Sequence, residues 1–300
     1  MDEGYRASDL IEDQLLVRVR EIYTAALRTA LKSKKAALKK VSDIQSGKTP
    51  APATYAAQGE EAVKRWRDYY VRKLARGTAL VESIAAELDR AGVEASDVIR
   101  KGMAEIYAVN LEEAQALLQT GAENAGLQTS FAMPTRAQID VILQEQESPM
   151  SKIAYNHLGD DPAARRRLQT ELALATALGE EHEKLIRRIE KVAGMSYGQA
   201  KRVAQTERTR VQSQARWQAG EEAKAAGVSV YNTWSTRMVR SRETHISLDG
   251  QQRMQGDAFV TSAGNALRYP GDPSAPAREV INCHCVLVPD VLEPGQTLEG

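Results

Sequence analysis

The two cysteines of this 300-residue chain lie at positions 283 and 285, with His284 between them and apolar residues on either side. In an extended segment, side chains two residues apart point to the same face, so Cys283 and Cys285 would share a face that His284 does not. Two thiolates on one face can bind zinc together, with His245 as a third ligand and Asp249, Asp257, His284 or water as the fourth. The spacing therefore indicates a candidate zinc site.

Two other interpretations of the same residues remain open. Free cysteines are among the most buried residue types, and Cys283 and Cys285 would then form a metal-free structural clamp with His245. Paired Cys-x-x-Cys knuckles, which zinc sites commonly show, are absent from the sequence. Alternatively the site would be catalytic, as in a zinc- or thiol-dependent hydrolase, although the flanking residues match no nucleophile signature.

Cysteine usage and the N-terminal residues bear on the cellular compartment. A disulfide between residues at i and i+2 is disfavoured, because it needs close and suitably directed Cβ atoms. Without a disulfide framework, synthesis in a reducing cytoplasm is expected. The first ten residues are acidic and polar, with no apolar signal-peptide core behind them. No run of 18 apolar residues occurs, so neither a membrane span nor a membrane partner is expected.

Charged residues near His245 suggest a second set of contacts. Arg240 and Arg242 precede the histidine, and arginine forks match the oxygens of phosphates as well as those of carboxylates. We expect Arg242 to form an ion pair and leave phosphate contact open for Arg240. Glu207 lies in a helical pattern, where we expect it to be a buried partner of one of these arginines rather than a general base.

The overall charge excludes a global basic surface, but one segment is locally basic. Lys and Arg total 40 and Asp and Glu total 40, so nonspecific nucleic-acid binding would need a local patch. Residues 28–40 carry six cations and no acid, and Lys32, Lys35 and Lys39 recur at spacings of three and four. On a helix they form one stripe, which is either a solvated face or a contact with DNA.

The elements that must position these residues follow from periodicity. Apolar residues at spacings of three and four predict helices over 10–41, 55–90, 96–120, 135–146 and 162–192. Gly92 is predicted to cap one helix C-terminally, and Asp161 to cap another N-terminally. Ser196 and Gln199 have capping-box spacing, which predicts that a further helix begins near Gly194 and ends at Gly227.

Strand patterns follow this last helix. The segment VSVYNTW (228–234) alternates apolar and polar residues, and EVINCHCVLV (279–288) is a second strand candidate. The predicted fold class is α+β, with a long-helical N-terminal two-thirds followed by a small mixed module containing a short β-sheet. We predict a helical domain at 1–193, the α+β module at 194–290, and a tail at 291–300.

Six fragments of the module resemble, in order, the C-terminal domain of the phage Mu protein F-like family, whose members are phage head morphogenesis or minor head proteins. Two features depart from the family pattern: Arg237-Met238-Val239 replaces an acidic residue after the tryptophan, and His284 replaces an arginine between the cysteines. The fragments are GMSYGQAKRVAQTERTR (194–210), YNTW (231–234), RSRETHISLDGQ (240–251), DAF (257–259), LRYPGDP (267–273) and INCHC (281–285).

The resemblance implies a minor capsid protein of a tailed phage or prophage, made in the bacterial host cytoplasm and located in the virion, in the head interior or near the portal. Expected partners are the portal and procapsid proteins, and packaged DNA for the lysine stripe. The implied role is head morphogenesis with DNA packaging or delivery, without enzymatic activity. The alternative is a zinc- or thiol-dependent hydrolase carried in the head.

Overall fold

A computed structural model describes residues 3–75, 78–146, 149–178, 182–236, 241–293 and 295–298, and the fold class is α+β, as the sequence predicts. Helices dominate up to residue 225. They are α1 (Glu3–Gln45), α2 (Ala53–Ala56), α3 (Glu60–Ala75), α4 (Thr78–Asn124), α5 (Arg136–Glu145), α6 (Pro149–Gly159), α7 (Pro162–Ala177) and α8 (His182–Ala225). Within these described ranges, no helix combines the length and the apolar character needed to cross a bilayer.

Short strands and two further helices follow α8. In chain order they are β1 (Val230–Ser235), α9 (Glu243–Ile246), β2 (Gln252–Met254), β3 (Phe259–Val260), β4 (Ala266–Leu267), α10 (Ala277–Val280) and β5 (Val286–Val291). β1 is the middle strand of an antiparallel sheet of order β2-β1-β5, and β3 pairs with β4. In the register of β1 and β5, Trp234 lies opposite Leu287, so both side chains enter the same core.

The chain forms two compact units, each assembled from separate stretches of sequence. Unit 1 contains Met1–Val17, Val98–Ala154 and Lys201–Gly300, and unit 2 contains Arg18–Asp97 and Tyr155–Ala200. The long helices α1, α4 and α8 contribute residues to both units. α8 runs continuously through residue 194, so the predicted domain boundary does not coincide with the end of a helix. That residues 194–290 fold independently of the rest of the chain stays a prediction.

In unit 2, the structure corrects the predicted role of Gly92. The residue lies inside α4 rather than at a helix end, so the predicted C-terminal cap was wrong. A Cβ atom at this position would come within 1.4 Å of the carbonyl oxygen of Leu158 in α6. Gly92 therefore permits a close approach of two helices, a role that periodicity along one helix does not reveal.

Other helix ends agree with the sequence more closely. The Asp161 carboxylate accepts hydrogen bonds from the backbone N–H groups of Ala163 and Ala164, both at 2.9 Å, and so caps α7 as predicted. By contrast, α8 begins at His182 rather than near Gly194, and Ser196 lies inside it. The predicted capping box at Ser196 was therefore wrong.

In unit 1, the segment 207–216 of α8 is buried on every side. It carries three arginines, and each has a carboxylate partner: Arg208 pairs with Asp9 and Glu12, Arg210 with Glu207, and Arg216 with Glu113. Buried guanidinium groups need such partners, because an unpaired charge in the interior is strongly destabilising. This segment is the central helix of unit 1, against which the C-terminal strands and loops pack.

Candidate functional site

His245, Cys283 and Cys285 converge in unit 1. The Nδ1 atom of His245 lies 3.6 Å from the Cys283 sulfur and 3.5 Å from the Cys285 sulfur. Among the described residues these three form a group whose candidate ligand atoms all lie within 4.8 Å of one another. The residues are 1%, 2% and 2% exposed, so the site is closed to solvent.

A small apolar core positions the histidine. His245 lies in α9, with its ring 5.2 Å from that of Trp234 in an edge-to-face arrangement. The turn after α9 is bound to the same strand residue, because Gly250 N–H donates to the Trp234 carbonyl and Trp234 N–H donates to that of Gln251. The surrounding cluster contains Trp234, Leu248, Phe259, Leu267, Tyr269, Cys283, Cys285 and Leu287.

The cysteines are positioned by α8 rather than by a strand. β5 begins only at Val286, so the predicted strand over 279–288 was wrong for residues 279–285, which form the end of α10, a turn and an irregular segment. At Asn282 the backbone is left-handed, with φ of 55°. The Thr206 hydroxyl accepts the N–H of Asn282 at 3.1 Å, and the Thr209 hydroxyl donates to the carbonyl of Cys283. Thr206 and Thr209 of α8 therefore hold the turn that precedes the cysteines.

A buried glutamate completes the site on the other side of the imidazole. The Nε2 atom of His245 lies 3.1 Å from Oε2 of Glu279, a residue of α10 that is 2% exposed. Burial opposes ionisation of Glu279, but hydrogen bonds from Thr244 and Asn265 and the nearby charges of His245 and Arg242 outweigh it and lower the pKa of the carboxyl. Sequence reasoning missed Glu279; its only local signal is an acid at the start of the EVINCHCVLV segment.

In the metal-free site the pKa values of the two thiols are shifted in opposite directions. A hydrogen bond from Cys285, assisted by His245, outweighs burial and lowers the pKa of Cys283 well below its ordinary value. The same hydrogen bond, burial and the negative charge of Cys283 raise the pKa of Cys285. The pair therefore favours one thiolate and one thiol, and the thiolate is the form that binds metal or acts as a nucleophile.

The donor set fits zinc. With Zn–S bonds of about 2.3 Å and a Zn–N bond of about 2.0–2.1 Å, a tetrahedral site has nitrogen–sulfur edges of about 3.6 Å. The two edges in this structure measure 3.6 and 3.5 Å. Two thiolates and an imidazole are also the ligand types that zinc prefers.

Asp249 does not join this group. Its Oδ1 atom accepts hydrogen bonds from the N–H of Thr236 at 2.6 Å and from the Thr236 hydroxyl at 3.0 Å, and the residue is exposed. Its carboxylate therefore holds the end of β1. The candidate metal ligands that converge in the described part of the chain are the histidine and the two cysteines alone.

The predicted charged contacts are arranged differently from the expectation. Glu207 is buried, as expected, but it pairs with Arg210 of its own helix at 2.8 Å and accepts a hydrogen bond from Ser151 at 2.6 Å. Arg242 donates to the carbonyl oxygens of Arg278 and Ile281, where an ion pair was expected. Arg240 lies outside the described residues.

The lysine stripe is present on the surface of α1. Lys32, Lys35 and Lys39 are all exposed, and they follow one another on the same face of a continuous helix. Arg28, one turn before Lys32, is also exposed. The structure thus places four cations in one row of α1.

Comparison with known proteins supports the resemblance. Residues 166–288 match the family model described as Phage Mu protein F like protein, a family of phage head morphogenesis, and the match begins within α7. The chain is also similar to the NAD(+)–arginine ADP-ribosyltransferase EFV of Enterococcus faecalis, with 32% identity over 111 residues. That segment covers 37% of this chain and 22% of the relative, so the chain spans about a fifth of that protein's length. No solved structure matches.

Proposed function

We propose that this chain, whose C-terminal region matches the Mu F-like family, is a minor head protein of a tailed phage or prophage. It acts at the portal during head assembly and in DNA packaging or delivery. The observation that carries the proposal is the family match over residues 166–288, which includes all three converging site residues. The activity in the name of the enterococcal relative is not carried over, because the shared segment is only 22% of that protein.

The N-terminal part of α1 is a candidate contact for the portal or procapsid. Leu10 is 60% exposed and Val17 is 55% exposed, and residues seven apart lie on the same face of a helix. An apolar face exposed on a helix is a candidate surface for contact with another protein. We propose that this row contacts a protein of the phage head.

Co-expression with the portal and procapsid proteins of the same phage tests this role. The chain is expected to co-purify with one of them, and the double change Leu10→Ser and Val17→Ser is expected to reduce capture. Lys64→Ser and Lys184→Ser, at two other exposed helical positions, serve as the control. Phage particles of normal composition and infectivity after deletion of the gene would contradict the proposed function.

We propose that the lysine stripe of α1 contacts packaged DNA. The first and last of the three lysines are seven residues apart, or roughly 10 Å along the helix axis, a length over which they can meet several phosphates. The chain as a whole is neutral, so such binding would depend on this local row rather than on a global field.

Replacing Lys32, Lys35 and Lys39 together with Gln is expected to weaken DNA binding and to flatten its salt dependence. Each lost phosphate contact reduces the slope of log K against log salt by about 0.9, so the total change is up to about 3. Fluorescence anisotropy with a short duplex over a salt series measures the slope. The control changes Lys64, Lys101 and Lys184, which are exposed elsewhere. Equal slopes for the two triple variants would refute the contact.

We propose that His245, Cys283 and Cys285 supply three ligands of a zinc ion that joins α9 to the segment before β5, with an enclosed water molecule as the fourth ligand. The support is the burial of all three groups and the agreement of both nitrogen–sulfur edges with a tetrahedral site. When bound, zinc supplies folding energy by linking elements that carry little apolar surface of their own. The same residues pack as a metal-free clamp if zinc is absent.

One observation favours the alternative of a thiol-dependent hydrolase. The site places a carboxylate, an imidazole and a thiol next to one another in space, in the order found in enzymes that activate a cysteine. These groups belong to Glu279, His245 and Cys283. However, these groups are at most 2% exposed, and a substrate has no open path to the sulfur. We therefore favour the structural role over the catalytic one.

A further inference from the structure

Four aromatic rings form a continuous cluster in unit 2, outside the sites described above. The Trp66 ring of α3 lies 6.4 Å from that of Tyr55 in α2 and 5.4 Å from that of Tyr70, and the Tyr70 ring lies 5.8 Å from that of Tyr69. Tyr69 is 59% exposed, and Tyr55 and Tyr70 are each 40% exposed. Three tyrosines of one cluster thus reach the surface, and together they are called the aromatic surface.

Trp66 anchors the aromatic surface to the rest of unit 2. Its indole is buried and packs against Ile44 at the end of α1, with Ala51 beside it. The tyrosines that contact this ring are therefore held in place before any ligand arrives. Tyrosine has few rotatable bonds, so binding to such a surface costs little side-chain entropy.

The aromatic surface belongs to a strongly basic segment. Residues 28–75 contain 12 lysines and arginines and four acids, while the charges of the whole chain balance. Two of the four acids, Glu60 and Glu61, lie in the first turn of α3, where carboxylates stabilise the N-terminus of a helix. The net positive charge of the segment attracts an anionic partner.

Cations also lie next to the exposed rings. Arg65, which is exposed, precedes Tyr69 by four residues, and the half-buried Arg67 precedes Tyr70 by three. Residues at these two spacings are neighbours on the surface of a helix. An arginine can thus contact a phosphate while the ring beside it contacts a base.

We propose that the aromatic surface binds single-stranded nucleic acid, with unpaired bases stacked on the tyrosine rings and phosphates on the neighbouring arginines. Proteins that bind single strands combine positive charge with aromatic side chains on which successive bases stack. A duplex uses only the charge, because its bases are already paired and stacked. The surface is therefore expected to prefer single strands, and it does not depend on the lysine stripe of α1.

A protein partner fits this composition less well. The cores of protein interfaces are enriched in tyrosine and arginine but depleted of lysine. Eight of the 12 cations in residues 28–75 are lysines. The charge of the segment thus suits a polyanion, and the exposed rings suit the bases of an unpaired strand.

The test compares Tyr69→Leu with Tyr69→Phe in the full chain. Fluorescence anisotropy measures binding to a labelled oligothymidylate of about 15 nucleotides and to a duplex of the same length. Loss of one stacking ring is expected to weaken single-strand binding about 5- to 150-fold in Tyr69→Leu and to leave duplex binding unchanged. Tyr69→Phe keeps the ring and is expected to bind as the wild type does. The exposure of Tyr69 lets both variants fold.

A second measurement detects stacking in the wild type alone. An oligothymidylate that carries 2-aminopurine at one position is expected to lose fluorescence on binding, because stacking on an aromatic ring quenches this base. Tyr55→Leu and Tyr55→Phe repeat the comparison on α2. If the leucine variants do not fold, the 2-aminopurine signal of the wild type still supports or overturns the proposal.

Equal single-strand affinities of Tyr69→Leu and Tyr69→Phe would overturn the proposal, as would unchanged 2-aminopurine fluorescence on binding. A wild type that binds no single strand would overturn it too. Lower capture of Tyr69→Leu by the portal or procapsid proteins would then assign the surface to a protein. The lysine stripe is tested separately, since an unchanged salt slope in its triple variant refutes the stripe and leaves the tyrosine comparison intact.

Discussion

Arg216→Met is expected to lower the free energy of unfolding of unit 1 by about 3–5 kcal/mol, because removing one partner of a buried ion pair leaves the other charge uncompensated. The Arg216 side chain is fully buried. It donates to the Glu113 carboxylate at 2.6 Å, to Oδ1 of Asn110 at 2.9 Å and to the Leu287 carbonyl at 3.2 Å. One guanidinium thus joins α8 to α4 and to β5.

The measurement is urea unfolding followed by tryptophan fluorescence in a Trp66→Phe background, where Trp217 and Trp234 report on unit 1. Arg202→Met, at an exposed position of the same helix, is the matched control and is expected to change stability by no more than about 0.5 kcal/mol. Adding Glu113→Gln to Arg216→Met is expected to recover part of the loss, since the unpaired carboxylate is then removed. A loss no larger than that of the control would contradict the assigned role.

Cys283→Ser is expected to abolish stoichiometric zinc and to lower the stability of unit 1. A ligand that binds only the folded state stabilises it by about 4 kcal/mol when its free concentration is a thousand times its Kd. Metal analysis of the purified chain measures the stoichiometry. Addition of a chelator is expected to lower the Tm of the wild type and to leave that of Cys283→Ser unchanged.

His284→Gln is the control for the zinc prediction. His284 lies between the two cysteines in the chain but outside the group of converging ligands, so this variant is expected to keep its zinc. Wild-type protein that contains no zinc and shows no response to chelators would refute the metal. The metal-free clamp would then predict a smaller loss for Cys283→Ser, about 1–3 kcal/mol, because a buried hydroxyl would replace a thiol without a matched partner.

Three residues that converge could be predicted from the sequence, but neither the geometry that brings them together nor the position of Glu279 could. The two cysteines and His245 were singled out by residue type and spacing, and the structure brings them together. The predicted means of convergence, a strand through both cysteines, was wrong. Two threonines of α8 and a left-handed residue at Asn282 position the sulfurs instead. A pattern of neighbours along the chain contains no information about a helix more than 70 residues away.

The structure also explains why one of the fragments that resemble the Mu F-like family has its sequence. In the LRYPGDP fragment, Gly271 has φ of 80°, and a Cβ atom there would lie 2.8 Å from Cα of Arg210 in α8. Asp272 in the same fragment is fully buried. Hydrogen bonds from Arg268 and Ser274 outweigh burial and lower its pKa to about 2. The fragment is thus a turn that allows the chain to contact the central helix closely.

The sequence by itself determined the features that depend on neighbours within about one helical turn or along one strand. These are the long helix α1, the Asp161 cap of α7, strand β1, the exposed lysine row and the α+β class. Only the tertiary structure decided that Gly92 spaces two helices, that Glu207 pairs within α8, and that Glu279 faces His245. The physical reason is that a buried charge or a close backbone contact depends on which element packs beside it. The path of the whole chain sets that neighbour, whereas local periodicity reports only which face of an element is buried.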